Sequence, residues 1–137
     1  PGVAFSYGVE VNKSRWHLSL PHHVQLCSGP SPLPGLVLEH GDIFDARSFD
    51  PFTHVYMFDI GMPDPIFDHM SAMFNASSSS YLVSYQPPRR IVGRHGFAVE
   101  LMFKVPVSMH GSTEGHTGYF YRRSASPSRG SARRALD

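Results

Sequence analysis

The stretch THVYMFDIGMPDP, residues 53–65, decides the fold class. A run rich in β-branched and aromatic residues ends on the carboxylate of Asp59, and a loop containing Gly61 follows it. Such a run predicts a buried strand that ends at Asp59. Asp64 followed by Pro65 then predicts the start of a helix, because proline is favoured in the first turn. Strand, loop and helix in this order are typical of α/β folds with a parallel sheet.

The same alternation extends over most of the chain. The predicted strands cover residues 3–11, 36–42, 53–59 and 81–86, and the predicted helices cover residues 12–20 and 64–74. Pro21 is expected to interrupt the first helix, because proline lacks the backbone donor. Two further β-rich runs, 97–107 and 118–123, flank a polar connection that contains glycine, which predicts an antiparallel pair. The pattern therefore predicts a mostly parallel, doubly wound α/β sheet that ends in this pair.

Composition predicts one globular domain without naming a partner. The chain has 137 residues, 41% of them hydrophobic, and its net charge is only +1 with nine neutral histidines. Cys27 is the single cysteine and cannot form an internal disulfide, which favours a reducing, intracellular compartment. No apolar segment approaches the roughly 18 to 20 residues that cross a bilayer, so no membrane association is predicted.

The C-terminal stretch RRSASPSRGSARRALD differs from the rest of the chain. It is rich in arginine, serine and alanine and has almost no apolar bulk, so it cannot bury enough surface to order itself. We therefore predict a folded part at residues 1–121 and a flexible basic tail at residues 122–137.

Acidic residues follow three consecutive predicted strands, at Glu10, Asp42 and Asp59. In open α/β sheets ligands bind beyond the carboxyl ends of the strands, so these side chains are candidate site residues. Glu10 fits an acceptor for the two ribose hydroxyls of a nucleotide, and Asp42 fits an acceptor for an adenine amine. The alternative is that each acid caps a helix or solvates a loop, and for Asp59 this means a cap for the following helix.

A nucleotide site would also need a glycine-rich loop, and the sequence contains neither G-x-G-x-x-G nor G-x-x-x-x-G-K-[ST]. If the fold binds a nucleotide, its first strand and glycine loop are expected to precede Pro1. The chain would then hold part of a catalytic domain. We expect it to bind the nucleotide weakly on its own, because the missing loop would supply backbone amides.

Several blocks of sequence carry a resemblance to a known family. The blocks are GVEV, LEHGDIFD, HVYMFDIGMPDPIFDHM, YLVSYQPP, VELMFKVPVSMHGS and YFYRR. In order and spacing, over residues 8–122, they resemble the second half of the catalytic domain of the Dot-one (disruptor of telomeric silencing) histone-lysine methyltransferases. These are class I S-adenosylmethionine enzymes, so the resemblance implies their Rossmann-like fold, here without its first strand and glycine loop.

The resemblance also implies roles for individual residues. Glu10 would hold the ribose of S-adenosylmethionine, and Asp59 would lie next to the transferred methyl group as the catalytic residue. The adenine would be framed by Asp42, Ile43 and Phe44, and the lysine channel would be lined by Met62, Pro63, Met109 and Tyr119. The sequence departs from the family where Asp59 replaces an asparagine and where Pro63 and Met109 stand near aromatic positions. These departures predict an altered lysine channel.

The implied function is transfer of methyl groups from S-adenosylmethionine to a lysine of histone H3 in nucleosomes, which places the protein in the nucleus. Arg89, Arg90, Arg94 and the tail arginines are candidates for contacts with phosphates or an acidic histone surface. Two alternatives stay open: a class I methyltransferase acting on arginine or a small molecule, and a non-catalytic chromatin-binding module. The histidines match no zinc spacing, so no metal site is predicted.

Overall fold

The computed structural model describes residues 3–32, 35–108 and 115–125. The chain divides into two compact units, Pro1–Arg47 and Ser48–Asp137. The candidate channel residue Met109 and tail residues 126–137 lie outside the described residues. Within the described ranges, no helix has the length and apolar character needed to cross a membrane.

The first unit is a strand, helix, strand motif. It contains strand β1 (Ser6–Glu10), helix α1 (Lys13–Ser28), strand β2 (Leu36–His40) and a 3-10 turn (Ile43–Asp45). β1 and β2 pair in parallel, with their registers running from Ser6 opposite Leu36 to Glu10 opposite His40. The predicted parallel arrangement of these two strands is therefore confirmed.

Helix α1 continues past Pro21, so the predicted interruption at this residue is wrong. The N-terminus of the helix is capped, because the side chain of Asn12 accepts a hydrogen bond of 3.0 Å from the Arg15 amide. It is also fastened to β2 by the Trp16 indole, which donates to the Leu38 carbonyl at 3.3 Å. Pro21 lies inside the helix, where it removes one backbone donor without ending the helix.

The second unit is a four-stranded mixed sheet with two helices. Its elements are β3 (His54–Tyr56), α2 (Asp64–Ala76), β4 (Tyr81–Ser84), α3 (Pro88–Ile91), β5 (Val99–Ser108) and β6 (Gly115–Arg123). The strand order is β3-β4-β6-β5, in which β3 and β4 are parallel and the other two pairings are antiparallel. The start of α2 at Asp64 and the C-terminal antiparallel pair confirm the predictions.

The core of the second unit forms on one face of the sheet. Val55, Met57 and Asp59 are buried, whereas the alternate residues Tyr56 and Phe58 are 62% and 48% exposed. The other buried apolar side chains come from α2, β4, α3, the segment between α3 and β5, β5 and β6: Phe67, Met70, Met73, Phe74, Leu82, Ile91, Phe97, Val99 and Tyr121. Helix α2 thus covers the face that carries Val55 and Met57.

The folded part extends further than the sequence predicted. Arg122 and Arg123, assigned to the tail, are the last residues of β6. The Arg123 guanidinium donates to the carbonyls of Phe74, Ser77 and Ser79 at 2.6, 2.9 and 2.7 Å, and it lies 4.6 Å from the Phe74 ring centroid. Phe74 lies in the last turn of α2, and Ser77 and Ser79 follow the helix, so these bonds tie the end of β6 to the end of α2. Arg123 is therefore part of the folded unit.

Candidate functional site

In the first unit the structure brings Glu10 and Asp42 to one edge of the sheet. Glu10 is the last residue of β1, and Asp42 lies two residues beyond the end of β2. Because the strands are parallel, their carboxyl ends meet at the same edge. The Gly41 amide donates to the Glu10 carbonyl at 3.2 Å, which joins the two strand ends directly.

Both carboxylates accept hydrogen bonds from nearby backbone amides. Glu10 Oε1 accepts from the Asn12 amide at 2.7 Å, and Asp42 Oδ1 accepts from the Phe44 amide at 2.9 Å. Asp42 thus caps the 3-10 turn, as the alternative proposed, whereas Glu10 binds the amide of Asn12, the residue that caps α1. A carboxylate offers about four acceptor positions, so capping and ligand binding are compatible. Ile43 is half-buried and Phe44 is 43% exposed, which adds apolar surface beside the Asp42 carboxylate.

In the second unit Asp59 is fully buried, with none of its surface exposed. One carboxylate oxygen accepts from the Ser84 hydroxyl, and the other accepts from the Tyr85 amide at 2.9 Å. Burial raises the pKa of Asp59 above its usual range, and the hydrogen bond from Ser84 opposes that rise in part. The carboxylate therefore links the carboxyl ends of β3 and β4.

This placement bears on the two readings of Asp59. The cap reading is wrong, because α2 follows Pro63 at its N-cap position without a side-chain cap, and the Asp59 oxygens point to the end of β4 instead. The predicted contact with a methyl donor or acceptor stays a prediction. In the described structure the carboxylate faces Ser84 and Tyr85 rather than solvent.

Asp59 also opens a tight turn that carries two of the predicted channel residues. The Met62 amide donates to the Asp59 carbonyl at 3.3 Å, and Gly61 at the third position has φ of 78°. A positive φ at this position is what a type II turn requires, so glycine is needed for its backbone conformation. Met62 is half-buried and Pro63 is exposed immediately beyond the turn.

Tyr119, the third described channel residue, lies at the same end of the sheet. It pairs with Ser84 across the antiparallel β4–β6 ladder, and Ser84 in turn binds Asp59. The Tyr119 ring stacks on Tyr121 with centroids 6.4 Å apart. Asp59, Met62, Pro63 and Tyr119 therefore share one end of the second unit.

The sequence analysis missed an aromatic cluster formed by Tyr56, Phe58 and Tyr85. The Tyr56 and Tyr85 hydroxyls are 3.0 Å apart, and the Phe58 and Tyr85 ring centroids are 5.5 Å apart in an edge-on arrangement. Partial burial raises the pKa of Tyr56 to about 12. Alternation along β3 could have placed Tyr56 and Phe58 on one face, but the contact with Tyr85 depends on the register of β4.

The three arginines after β4 differ in their surroundings. Arg90 lies 3.3 Å from Asp64, and Arg94 also pairs with Asp64, so both are engaged within the unit. Arg89 is exposed. Binding of phosphates or a histone surface by these arginines stays a prediction. Among the residues that the structure describes, no cluster of three or more histidine, cysteine or acidic side chains could hold a metal ion.

Comparisons with known proteins bear on the fold. No protein-family model matches the chain, and no curated protein matches it either. Among solved structures, magnesium protoporphyrin IX methyltransferase from Synechocystis PCC 6803, crystallised with bound SAM, matches with a TM-score of 0.59 at 14% sequence identity. The match covers 88% of this chain, which spans 60% of that enzyme's chain. At this identity the likeness shows the fold alone, and it confirms the predicted class I methyltransferase fold.

Proposed function

We propose that this chain, which has the class I methyltransferase fold, belongs to an enzyme that transfers methyl groups from S-adenosylmethionine. The observation that carries the proposal is the meeting of Glu10 and Asp42 at the carboxyl ends of two parallel strands. This is the position at which open α/β sheets bind nucleotide-like ligands. A carboxylate at that edge can accept two hydrogen bonds from a ribose diol.

The residues of the first unit fit the donor. Glu10 would accept from the ribose hydroxyls while its Oε1 keeps the bond to the Asn12 amide. Asp42 would accept from the adenine amine, and the exposed ring of Phe44 would cover the base. When bound, S-adenosylmethionine supplies a methyl group on a positively charged sulfur.

On the acceptor side, the residues at the end of β3 would position the substrate. Methyl transfer forms one bond to the acceptor nitrogen and breaks one bond to sulfur, so the nitrogen must arrive without its proton and in line. A carboxylate next to an amine raises the amine's pKa, which opposes loss of the proton. Asp59 therefore need not act as a general base. Because its carboxylate is buried against Ser84 and Tyr85, we assign it to holding the turn that orients the acceptor.

The finer proposal is that the acceptor is a lysine of nucleosomal histone H3 and that the enzyme works in the nucleus. It rests on the resemblance over residues 8–122. Exposed Arg89 and the tail arginines would add contacts with the nucleosome, since arginine binds phosphate and carboxylate groups well. A small-molecule acceptor is the second candidate. This candidate is supported by the structurally similar enzyme, whose name, magnesium protoporphyrin IX methyltransferase, states a small-molecule acceptor.

Methyl-transfer assays test these proposals together. Labelled S-adenosylmethionine is offered with nucleosomes, free histone H3 peptides or porphyrin acceptors, and the methylated product is identified by mass spectrometry. Methyllysine on nucleosomal H3 supports the finer proposal, whereas a methylated small molecule supports the second candidate. Donor binding is followed in parallel by amide chemical shifts, which detect weak association.

Two acidic residues of the first unit give a matched pair of variants. Glu10→Ala is expected to abolish both donor binding and transfer. Glu39→Ala, at an exposed acid of β2, is expected to change neither. A folded chain that binds no donor and transfers no methyl group would reject the methyltransferase proposal, and the non-catalytic chromatin-binding module would then be the better account.

A further inference from the structure

The Asp59–Met62 turn is contacted at both ends by side chains that follow β4. Gln86 Nε2 donates to the Asp59 carbonyl at 3.4 Å, and Arg90 Nη2 donates to the Met62 carbonyl at 3.3 Å. Both acceptors are backbone atoms, so the contacts act on the path of the chain and need no particular side chain on the turn. We call Gln86 and Arg90 the turn clamp.

The turn clamp is itself held in place. Arg90 Nη1 lies 3.5 Å from Gln86 Oε1, and the Gln86 carbonyl accepts from the Tyr121 hydroxyl at 2.6 Å. The Arg90 guanidinium lies 4.6 Å from the centroid of the Phe67 ring, within the range of a cation–π contact. A planar guanidinium fixed by several contacts loses little further freedom when it binds a carbonyl. The clamp is therefore preorganised.

A purely structural reading is that Arg90 only joins α3 to α2 through Asp64. Asp64 has further partners, however, because Arg94 pairs with it and His95 Nε2 lies 3.4 Å from its Oδ1. Loss of Arg90 would therefore leave Asp64 with two cationic or titratable neighbours. Unlike its contact with Asp64, the Arg90 bond to the Met62 carbonyl is not duplicated by Arg94 or His95 in the described structure.

We propose that Gln86 and Arg90 are positioning residues that hold the Asp59–Met62 turn, and with it Met62 and Pro63, in the geometry that receives the acceptor. The hold on the turn is independent of the reaction. The link to the acceptor rests on the proposed methyl-transfer function. Asp59 adds to the hold through its carboxylate bonds to Ser84 and Tyr85.

Amide hydrogen exchange of the full chain tests the hold on the turn. The Met62 amide closes the turn, whereas the Tyr85 amide binds the Asp59 carboxylate, so these two amides separate local release from general unfolding. In Arg90→Gln we expect Met62 exchange to rise roughly fivefold while Tyr85 exchange stays constant. The control Arg89→Gln removes the same charge from an exposed neighbour and should change neither rate.

Gln86→Glu gives a second test in case Arg90→Gln fails to fold. Glutamate keeps an oxygen for Arg90 but loses the N–H that donates to the Asp59 carbonyl, so Met62 exchange should again rise. Arg90→Lys should restore part of the protection, because one ammonium can reach only some of the guanidinium's acceptors. Unchanged Met62 exchange in Arg90→Gln and Gln86→Glu would overturn the clamp.

Kinetics tests the link to the acceptor. A positioning role predicts a roughly tenfold lower kcat in Arg90→Gln with an unchanged KM for the methyl donor, and partial recovery in Arg90→Lys. Faster Met62 exchange with unchanged kcat would overturn the link. Exchange is measured without substrate, so failure of the chain to transfer methyl groups would reject the proposed function separately from the clamp.

Discussion

The two units of the chain differ in how they are held together. Among the residues that the structure describes, every buried apolar side chain lies in the second unit, between Val55 and Tyr121, and none of those at 3–32 and 35–47 is buried. The first unit relies on one pair of strands and on capping bonds such as those of Asn12 and Asp42. The candidate donor residues thus lie on a lightly packed scaffold, and the candidate acceptor turn lies on a closely packed one.

This difference has a consequence for binding. A two-stranded sheet is marginally stable by itself, and segments with few buried contacts open at low free energy. A ligand that binds only the folded form of the first unit would therefore stabilise it measurably. The second unit should keep its structure regardless of ligand, because its core supplies the stability.

The largest expected effect comes from a pair of leucine substitutions. Leu82→Ala truncates a side chain with no exposed surface and should lower the free energy of unfolding by about 2–5 kcal/mol. Leu18→Ala truncates a side chain that is 74% exposed on α1 and should change the free energy of unfolding by less than about 0.5 kcal/mol. Denaturant titration measures both values. Equal losses in the two variants would contradict the contrast between the units.

A second prediction compares neighbouring arginines of β6. Arg123→Met removes the donor to three carbonyls around the end of α2 and should cost about 2 kcal/mol of unfolding free energy. Arg122→Met breaks only the exposed ion pair with Glu100 and should cost less than about 0.5 kcal/mol. Thermal or denaturant unfolding of the two variants measures both losses. If Arg123→Met lost as little unfolding free energy as Arg122→Met, the flexible tail would begin at residue 122, as the sequence predicted.

A third prediction concerns pH. Burial raises the pKa of Asp59 above its usual 3.8, so ionisation opposes folding, and unfolding free energy should fall as pH rises from 3.8 through the higher folded-state pKa. Asp59→Asn should remove this fall. Hydrogen bonds from Ser78 lower the pKa of Asp50 instead, so its contribution is present above 3.8 and is lost as pH falls below it.

Denaturant unfolding measured at a series of acidic pH values checks the direction of both pH effects on the unfolding free energy. Asp50→Asn serves as the control, because it should lower the unfolding free energy by a constant amount above 3.8 and change the slope of the profile only on the acid side of 3.8. An Asp59→Asn variant that kept the wild-type slope above 3.8 would show that the carboxylate is not desolvated as the structure indicates.

The smallest expected effect concerns the first unit. Asn12→Ala removes the cap of α1 and should raise the exchange rate of the Arg15 amide, in line with a loss of about 1 kcal/mol. Ser14→Ala changes an exposed side chain in the same turn and is the control. Protection of Arg15 that survives Asn12→Ala would mean that tertiary contacts, rather than the cap, hold the start of the helix.

Local patterns predicted the parts of the fold that depend on local chemistry. Apolar periodicity located the strands, the Asp64–Pro65 pair located the start of α2, and a polar connection separated β5 from β6. Contacts between distant residues could not be predicted in this way. Ser84 binds Asp59 from 25 positions away, so the burial of Asp59 depends on the register of the strands. Arg123 binds the Phe74 carbonyl from 49 positions away, so its place in the folded unit depends on strand register as well.

The same limit applies to the candidate site. The acids Glu10 and Asp42 could be predicted as neighbours, because parallel strands place their carboxyl ends at one edge. The Gln86 and Arg90 contacts with the turn could not, since QPPRR predicts only the end of a strand followed by charge. Short helix α3 after Pro87, which aims Arg90 at Met62, was absent from the prediction.

The measurement that tests the central claim most directly is a residue-by-residue map of amide exchange with and without S-adenosylhomocysteine. If the donor binds at the edge formed by β1 and β2, the ligand should slow exchange around Glu10 and across residues 41–44, and Glu10→Ala should abolish this protection. Protection confined to other parts of the chain, or none at ligand concentrations high enough to saturate a weak site, would contradict the assignment of the donor site.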